Sequence, residues 1–267
     1  MILLLLPFLA SPAHEDLEIQ ISRLSRQIER EPDRAILYFR RGELHRMHED
    51  WKAAREDLQR AAVRDPEMAA VDLALGRVCN QTGDAAGAKA ALDRFLALRP
   101  EHAEGLIERA RARAQLGDRP GAVKDYSSAI DRMEEPWAQN FLERSEVLRS
   151  DGRLDEAIRG LEEGLRRIGP ALPIQLALID LELEGGRVDA ALARLDAVSA
   201  ASERKDLWLV RRGEILRGAG RSGEAERAFK AAIAAIESLP AGRRRTRFTQ
   251  DLELKARAQL EATHEKN

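Results

Sequence analysis

Few side chains in this sequence have the types and spacing that metal binding requires. His45 and His48 are three residues apart and could share one face of a helix. No cysteine or acidic residue stands at a recognised ligand spacing from them. Cys79 is the only cysteine, so no intramolecular disulfide can form. The sequence therefore predicts neither a metal centre nor a disulfide.

Motifs of the common enzyme classes are also missing from the sequence. It contains no nucleophile elbow, no phosphate-binding Walker loop, no HExxH zinc motif and no CxxC pair. The adjacent carboxylates Glu134 with Glu135, and Glu162 with Glu163, lie in highly charged stretches that are typical of a solvated surface. We expect no enzymatic activity and no cofactor.

A basic cluster near the carboxyl end is the strongest chemical signal. The stretch GRRRTRF follows Pro240 and places four arginines within five residues: Arg243, Arg244, Arg245 and Arg247. Guanidinium groups pair well with carboxylates and phosphates. Residues 204–267 hold 15 Lys and Arg against 9 Asp and Glu, although the whole chain has a net charge of -2. This end could bind an acidic protein or an anionic surface, whereas the overall charge argues against nucleic acid.

The composition predicts a helical protein. The 267 residues are 44% hydrophobic and 34% charged, but only 4% aromatic. Alanine, leucine, arginine and glutamate dominate, and all four favour helices. The apolar content is sufficient for a real core.

The first residues are similar to a short secretory signal. MILLLLPFLASPAHE has an apolar run from Ile2 to Leu9, followed by Ser11, Pro12 and Ala13 as a small-x-small ending. We expect residues 1–13 to be a signal peptide cleaved near Ala13, and the protein to be periplasmic or secreted. A misassigned start and a cytoplasmic location is the alternative. The run is too short to cross a bilayer as a helix.

One phrase returns six times along the chain, as in GDAAGAKAALDRFL and GRLDEAIRGLEEGL. Its alanines are separated by 34, 34, 35, 34 and 34 residues: Ala54, Ala88, Ala122, Ala157, Ala191 and Ala225. Twelve positions earlier the residue is small in five cases of six: Gly42, Gly76, Ala110, Ser145, Ile179 and Gly213. Four positions after the alanine the residue is always large and apolar: Leu58, Leu92, Tyr126, Leu161, Leu195 and Phe229.

This register predicts a repeated helix-turn-helix, whose units bury their apolar faces against one another. The small residue lies on the first helix of each unit, helix A, and lets the second helix, helix B, approach closely. Glycines at the end of helix A favour a positive φ: Gly83, Gly117, Gly152, Gly186 and Gly220. The first unit has Glu49 at this position. Polar residues beside the turn are expected to cap helix B: Asp50, Asp84, Asp118 and Ser222.

These residues resemble the tetratricopeptide repeat, and Pro32, Pro66 and Pro100 fall at the closing proline of that family. The resemblance implies an all-α, right-handed solenoid of about six repeats. The predicted repeats span residues 35–68, 69–102, 103–137, 138–171, 172–205 and 206–239. They are flanked by an amino-terminal capping helix, residues 14–34, and by a carboxyl-terminal capping helix and tail, residues 240–267.

Both flanking segments carry an apolar stripe with helical spacing. In the amino-terminal segment it consists of Leu17, Ile21, Leu24 and Ile28, and in the carboxyl-terminal segment of Phe248, Leu252, Ala256 and Leu260. After the turn, the first three repeats have aspartate and the last three have arginine, namely Arg153, Arg187 and Arg221. The single insertion, near Pro136, separates the two groups. We expect two blocks of three repeats.

The resemblance also implies that the A helices line a concave groove that binds peptides, helices or extended segments of another protein. One position of the register gives an apolar ladder: Phe39, Leu73, Ile107, Leu142, Leu176 and Val210. A charged column lies beside it: Glu43, Arg77, Arg111, Glu146, Asp180 and Glu214. Such a surface suits an amphipathic helix or a peptide of alternating charge. The alternative is that the ladder packs mainly against neighbouring A helices.

The function expected from these patterns is that of a non-catalytic protein–protein interaction scaffold or adaptor. Family members that grip a carboxyl-terminal carboxylate carry Lys and Asn where this sequence has Phe39 and Glu43, so that mode is disfavoured. The alternative is an accessory subunit that docks an acidic protein or anionic surface through Arg243, Arg244, Arg245 and Arg247. The sequence does not identify the partner.

Overall fold

The computed structural model describes residues 12–264, and the regular structure of that range is entirely helical. The predicted signal peptide lies almost wholly outside the described residues. In the described range, no helix is both long enough and apolar enough to cross a membrane. The helices are α1 (Pro12–Arg30), α2 (Ala35–Met47), α3 (Trp51–Arg64), α4 (Ala69–Gln81), α5 (Ala85–Leu98), α6 (Ala103–Gln115), α7 (Arg119–Arg132), α8 (Ala138–Ser150), α9 (Leu154–Ile168), α10 (Leu172–Glu184), α11 (Val188–Ala201), α12 (Lys205–Gly218), α13 (Ser222–Glu237), α14 (Ala241–Arg244) and α15 (Arg247–His264).

The chain divides into two compact units, Met1–Pro136 and Trp137–Asn267. The division coincides with the single insertion in the repeat. In the first unit, α1 precedes the helix pairs α2 with α3, α4 with α5, and α6 with α7. The second unit contains the pairs α8 with α9, α10 with α11, and α12 with α13, and α15 packs on the last of them. The even-numbered helices from α2 to α12 are therefore the A helices, and their partners are the B helices.

Close approach of helix A to helix B depends on the small residue of the register. A Cβ atom added to Gly76 would lie 2.5 Å from Cγ of Leu92. A Cβ added to Gly213 would lie 2.5 Å from a ring carbon of Phe229. In both pairs the large side chain comes 16 residues after the glycine and is fully buried. The predicted pairing of a small residue with a large one is confirmed at these positions.

The carboxyl-terminal cap differs from its prediction at one residue. Leu252 and Ala256 of α15 join the core of the second unit, but Phe248 is 56% exposed. Thr249 is buried instead. Steps of four residues rotate by about 40° around a helix with 3.6 residues per turn, so a stripe drawn at that spacing drifts off the buried face. The Phe248 ring lies under the guanidinium of Arg204, 5.6 Å from it.

The turn after helix A uses a left-handed backbone conformation. All five turn glycines have φ between 71° and 82°. Glu49 takes the same conformation with φ of 60°, and among the described residues it is the one non-glycine residue to do so. A side chain at positive φ is sterically unfavourable because Cβ crowds the backbone. The first repeat therefore stores local strain that the other repeats avoid.

In the first unit, aspartates cap the B helices as predicted. Asp50 accepts a hydrogen bond from the Ala53 N–H at 3.1 Å, and Asp84 and Asp118 accept equivalent bonds at 2.9 and 3.0 Å. The prediction for Ser222 is wrong. Arg221 occupies the N-cap of α13, and Ser222 is the first helical residue. A cap must precede the helix to reach its free N–H groups.

In the second unit, arginines connect the turns of successive repeats. Arg221 donates to Glu224 in its own helix at 2.7 Å and to Asp189 of the preceding repeat at 2.5 Å. Arg187 makes the equivalent bond to Asp155. Asp84 of the first unit pairs with Arg55 of the preceding repeat at 3.0 Å, so both units connect successive repeats here, but the arginines of the second unit do not cap helix B.

Ion pairs between helices A and B replace apolar contacts in two repeats. The pairs are Arg41 with Asp57 at 2.6 Å and Arg109 with Asp125 at 2.8 Å, and the second repeat has Leu75 and Ala91 at the same positions. The aspartates, Leu75 and Ala91 are all buried. A well-bonded buried ion pair and an apolar pair of similar volume can be comparably stable. This position of the repeat therefore accepts either an ion pair or an apolar pair.

We predict that Glu49→Gly stabilises the protein, because glycine removes the cost of a side chain at positive φ. The expected gain in the free energy of unfolding is about 1 kcal/mol. Gly117→Ala is the matched control at the same turn position and should lower the free energy of unfolding by about 1 kcal/mol. Urea denaturation measures both. Equal stability of Glu49→Gly and wild type would contradict the strain at this turn.

Candidate functional site

The apolar ladder is less accessible than a continuous binding surface would be. Leu73, Ile107 and Val210 are buried, Phe39 and Leu142 are half-buried, and Leu176 is exposed. Burial assigns the first three side chains to packing, the alternative that the sequence left open. The accessible part of the ladder is therefore confined to Phe39, Leu142 and Leu176.

Each residue of the charged column forms an ion pair. The pairs are Glu43 with Arg46 at 3.0 Å, Arg77 with Glu104, Arg111 with Glu108 at 2.8 Å, Glu146 with Arg149 at 2.7 Å, Asp180 with Arg211 at 2.9 Å, and Glu214 with Lys255 at 2.5 Å. The hydrogen bond from Arg149 lowers the pKa of Glu146. The charged column therefore consists of charges that are already paired within the chain, which weakens their attraction for a ligand.

Asn80 links the A helices of the first unit and was missed by sequence reasoning. Its side-chain amide donates to the carbonyl oxygen of Glu108 at 2.9 Å and to the Glu108 carboxylate at 2.7 Å. Its Oδ1 atom is buried and has no hydrogen-bond partner. Asn80 lies four residues after the small residue Gly76, as Arg46 does after Gly42, so the register could have found this position.

An exposed apolar patch on the second unit was also missed. It consists of Trp137, Leu172 and Leu176, which are 77%, 47% and 37% exposed. Trp137 is the N-cap of α8, and Leu172 is the first residue of α10. The signal in the sequence was an aromatic residue at a helix start, where the other repeats have Arg34, Met68, His102, Ala171 and Arg204.

Two observations place α8 and α10 side by side and parallel. Toward their amino-terminal ends, a Cβ atom on Gly164 would lie 2.9 Å from Phe141 of α8 and 3.1 Å from Ile174 of α10. At their carboxyl-terminal ends, Arg149 of α8 donates to Glu184 of α10 at 3.4 Å. The three residues of the apolar patch therefore share the amino-terminal end of this helix pair.

The basic cluster carries unpaired charge. In the described residues, the side chains of Arg243, Arg244 and Arg245 form no ion pair or hydrogen bond, and all three are exposed. Arg247 is 95% exposed and lies 3.8 Å from Asp251. The exposed ring of Phe248 is next to it in the chain. This segment can therefore accept anionic groups without first breaking internal pairs.

His45 is half-buried and Cys79 is buried. Nitrogen atoms of His45 lie 3.9 Å from carboxylate oxygens of Asp50 and Asp57, and burial lowers the pKa of His45. Cys79 is buried, and burial raises the pKa of its thiol. Among the described residues, no group of three or more His, Cys, Asp or Glu side chains could hold a metal ion.

Solved structures with a similar fold include a tetratricopeptide repeat protein. A tetratricopeptide repeat protein from Parabacteroides merdae is 18% identical with a TM-score of 0.58, covering 92% of this chain and all of that one. MamA from Desulfovibrio magneticus is 13% identical with a TM-score of 0.54, covering 56% of this chain and 84% of that one. The Cut9–Hcn1 hetero-tetramer of the APC/C is 14% identical with a TM-score of 0.54, covering 91% of this chain and 46% of that one.

Sequence comparison gives the same family. None of the curated protein sequences matches this chain. A family profile described as tetratricopeptide repeat matches residues 21–69, 39–88, 73–140 and 176–240, which together span more than half of the chain. The register of helix pairs and the match to this profile show that the chain belongs to the tetratricopeptide repeat family.

Proposed function

We propose that this chain is a non-catalytic scaffold that binds a segment of another protein through its A helices. Membership of the tetratricopeptide repeat family supports protein binding. The observation that carries the proposal is the apolar patch, because grouped exposed apolar side chains mark interaction sites, whereas single ones such as Val63 are ordinary. Trp137 is the largest of them, and tryptophan is enriched among the residues that dominate binding energy.

The A helices of the first unit, taken by themselves, also carry apolar and charged candidate contacts. Phe39 supplies a half-buried ring, and Arg77 and Arg111 supply guanidinium groups whose internal ion pairs are partly solvated. Surface ion pairs contribute little to stability, so a partner can share these charges at small cost. We therefore propose a partner segment with both apolar and charged side chains.

Site-specific photo-crosslinking in the native cell tests the use of the A helices. A benzophenone side chain replaces Leu176 on α10 or, as the matched control, Ala193 on α11 of the same repeat, which is also exposed. We expect one partner protein to be captured at Leu176 and not at Ala193. Equal capture at both positions, or capture at Ala193 alone, would contradict binding through the A helices.

A second candidate function uses the basic cluster. We propose that Arg243, Arg244 and Arg245 tether the chain to an acidic protein or to an anionic surface. Their lack of internal partners supports this role, since most other arginines in the described range are already paired. Such attraction is long-range and is screened by salt.

Neutralising the cluster should abolish this attraction. The variant Arg243→Gln/Arg244→Gln/Arg245→Gln is expected to lose at least tenfold in affinity for phosphatidylserine vesicles or for polyglutamate, measured at low salt. The control replaces ion-paired arginines elsewhere, Arg132→Gln/Arg257→Gln, and should bind as wild type does. Binding by wild type that persists in 0.5 M NaCl would refute the electrostatic tether.

We also propose export through residues 1–13, supported by the apolar run and the small residues that follow it. Cleavage near Ala13 would leave the stripe of α1 from Leu17 to Ile28 in the mature chain. Amino-terminal sequencing of the protein from its native cell should find a first residue close to Glu15. A chain that still begins at Met1 would refute the proposal.

A further inference from the structure

We infer that the apolar patch, together with carboxylates at the other end of the same two helices, forms a docking site for a basic amphipathic segment of a partner protein. This inference rests on the proposed function and names the chemistry of the partner at one part of the A-helix surface. All residues of this docking site belong to the second unit.

Residues at the position equivalent to Trp137 in two other repeats have a capping or packing role, and Trp137 does not. His102, at the same place in the third repeat, accepts a hydrogen bond from the Gly105 N–H at 3.2 Å and packs edge-on against Phe95. Met68 packs against the core of the first unit. Trp137 has neither role, and its indole projects into solvent.

The backbone that carries this indole is nevertheless fixed. The Trp137 N–H donates to Oδ1 of Asn140 at 3.0 Å, and the Asn140 N–H donates to the carbonyl oxygen of Trp137 at 3.0 Å. Asn140 is buried. With the backbone fixed, only the two side-chain torsions of the indole remain to be ordered on binding, which makes tryptophan an effective anchor for a partner.

The opposite ends of α8 and α10 are acidic. The helix α10 contains Asp180, Glu182 and Glu184 and has no basic residue. Glu182 is buried and paired with Arg194, whereas the other two are exposed. Among the described residues, these two carboxylates and Glu146 of α8 bond to two guanidinium groups, since Arg149 bonds to both Glu146 and Glu184, and Arg211 bonds to Asp180.

The distance between the apolar patch and the carboxylates of α10 sets the spacing between apolar and basic residues in the partner. Leu172 and Asp180 are eight residues apart on one helix, about 12 Å at 1.5 Å per residue. An extended segment covers that distance in about four residues at 3.3 Å each, and a helical one in about eight. The site therefore fits a segment with a pair of large apolar side chains and with Lys or Arg about four or eight residues away.

Selection from a displayed library of random 16-residue peptides tests this inference, with the immobilised full chain carrying Arg243→Gln/Arg244→Gln/Arg245→Gln so that the basic cluster does not capture acidic peptides. We expect the enriched peptides to carry a net positive charge, at least two large apolar residues and the stated spacing. A selected peptide without tryptophan should shift the tryptophan emission of the chain on binding, and this shift should be absent in a Trp137→Phe variant, because the Trp137 indole is the one expected to leave water. Enrichment of neutral or acidic peptides would overturn the inference.

Three variants, each confirmed to be folded by circular dichroism, locate the binding. Trp137→Ser/Leu172→Ser and Asp180→Asn/Glu184→Gln should each weaken a selected peptide at least tenfold. The control Val63→Ser/Leu98→Ser removes exposed apolar side chains from B helices and should leave the affinity unchanged.

The outcomes separate this inference from the proposed function. Peptides that bind the first two variants as tightly as wild type, but lose affinity with Phe39→Ser, would overturn the docking site while supporting protein binding by the A helices. Failure to enrich any peptide would count against both.

Discussion

The contact between a small residue of helix A and a large residue of helix B is the constraint on which the rest of the structure depends. Leu92 occupies the space that a side chain at position 76 would need, and Phe229 does the same at Gly213. Because the partner lies 16 residues away, each contact closes within one repeat. The contact directs one face of helix A toward helix B and leaves another face for neighbouring A helices or a ligand.

The two units satisfy the other requirements of the repeat with different chemistry. Aspartates cap helix B in the first unit, whereas arginines at the equivalent position of the second unit form ion pairs with carboxylates. Buried ion pairs alternate with apolar pairs in the first unit, as in Arg41 with Asp57 against Leu75 with Ala91. These exchanges preserve the close contact between helices A and B.

The sequence predicted those features that recur at fixed offsets. The large apolar residues and the turn glycines are placed as expected, because each is repeated and a single error would not shift the register. Burial that depends on the rotation of a side chain around its helix axis, or on how closely helices pack, was not predictable. Phe248 falls just outside the buried stripe of α15, and the burial of Leu73 depends on how closely adjacent A helices pack.

The candidate binding residues were predicted less well than the fold, because their contacts and exposure also depend on details that do not repeat along the chain. Ion pairs formed by long side chains depend on their rotamers, so the pairing of Arg77 with Glu104 could not be inferred from spacing. The exposure of Trp137 depends on where α8 begins, and the one insertion in the repeat lies just before it. The residue that carries the functional proposal therefore stands where the repeat is least regular.

The stability of two glycine-to-alanine variants tests the central contact most directly. Gly218 lies in α12 with open space around its Cα, so Gly218→Ala should raise the free energy of unfolding by up to about 1 kcal/mol through helix propensity. Gly76→Ala gains the same propensity but places Cβ against Leu92, and we expect a net loss of about 1–3 kcal/mol. Urea denaturation measures the free energy of unfolding of both variants. Opposite signs would support the close contact as the basis of the fold, and equal stabilisation of both would contradict it.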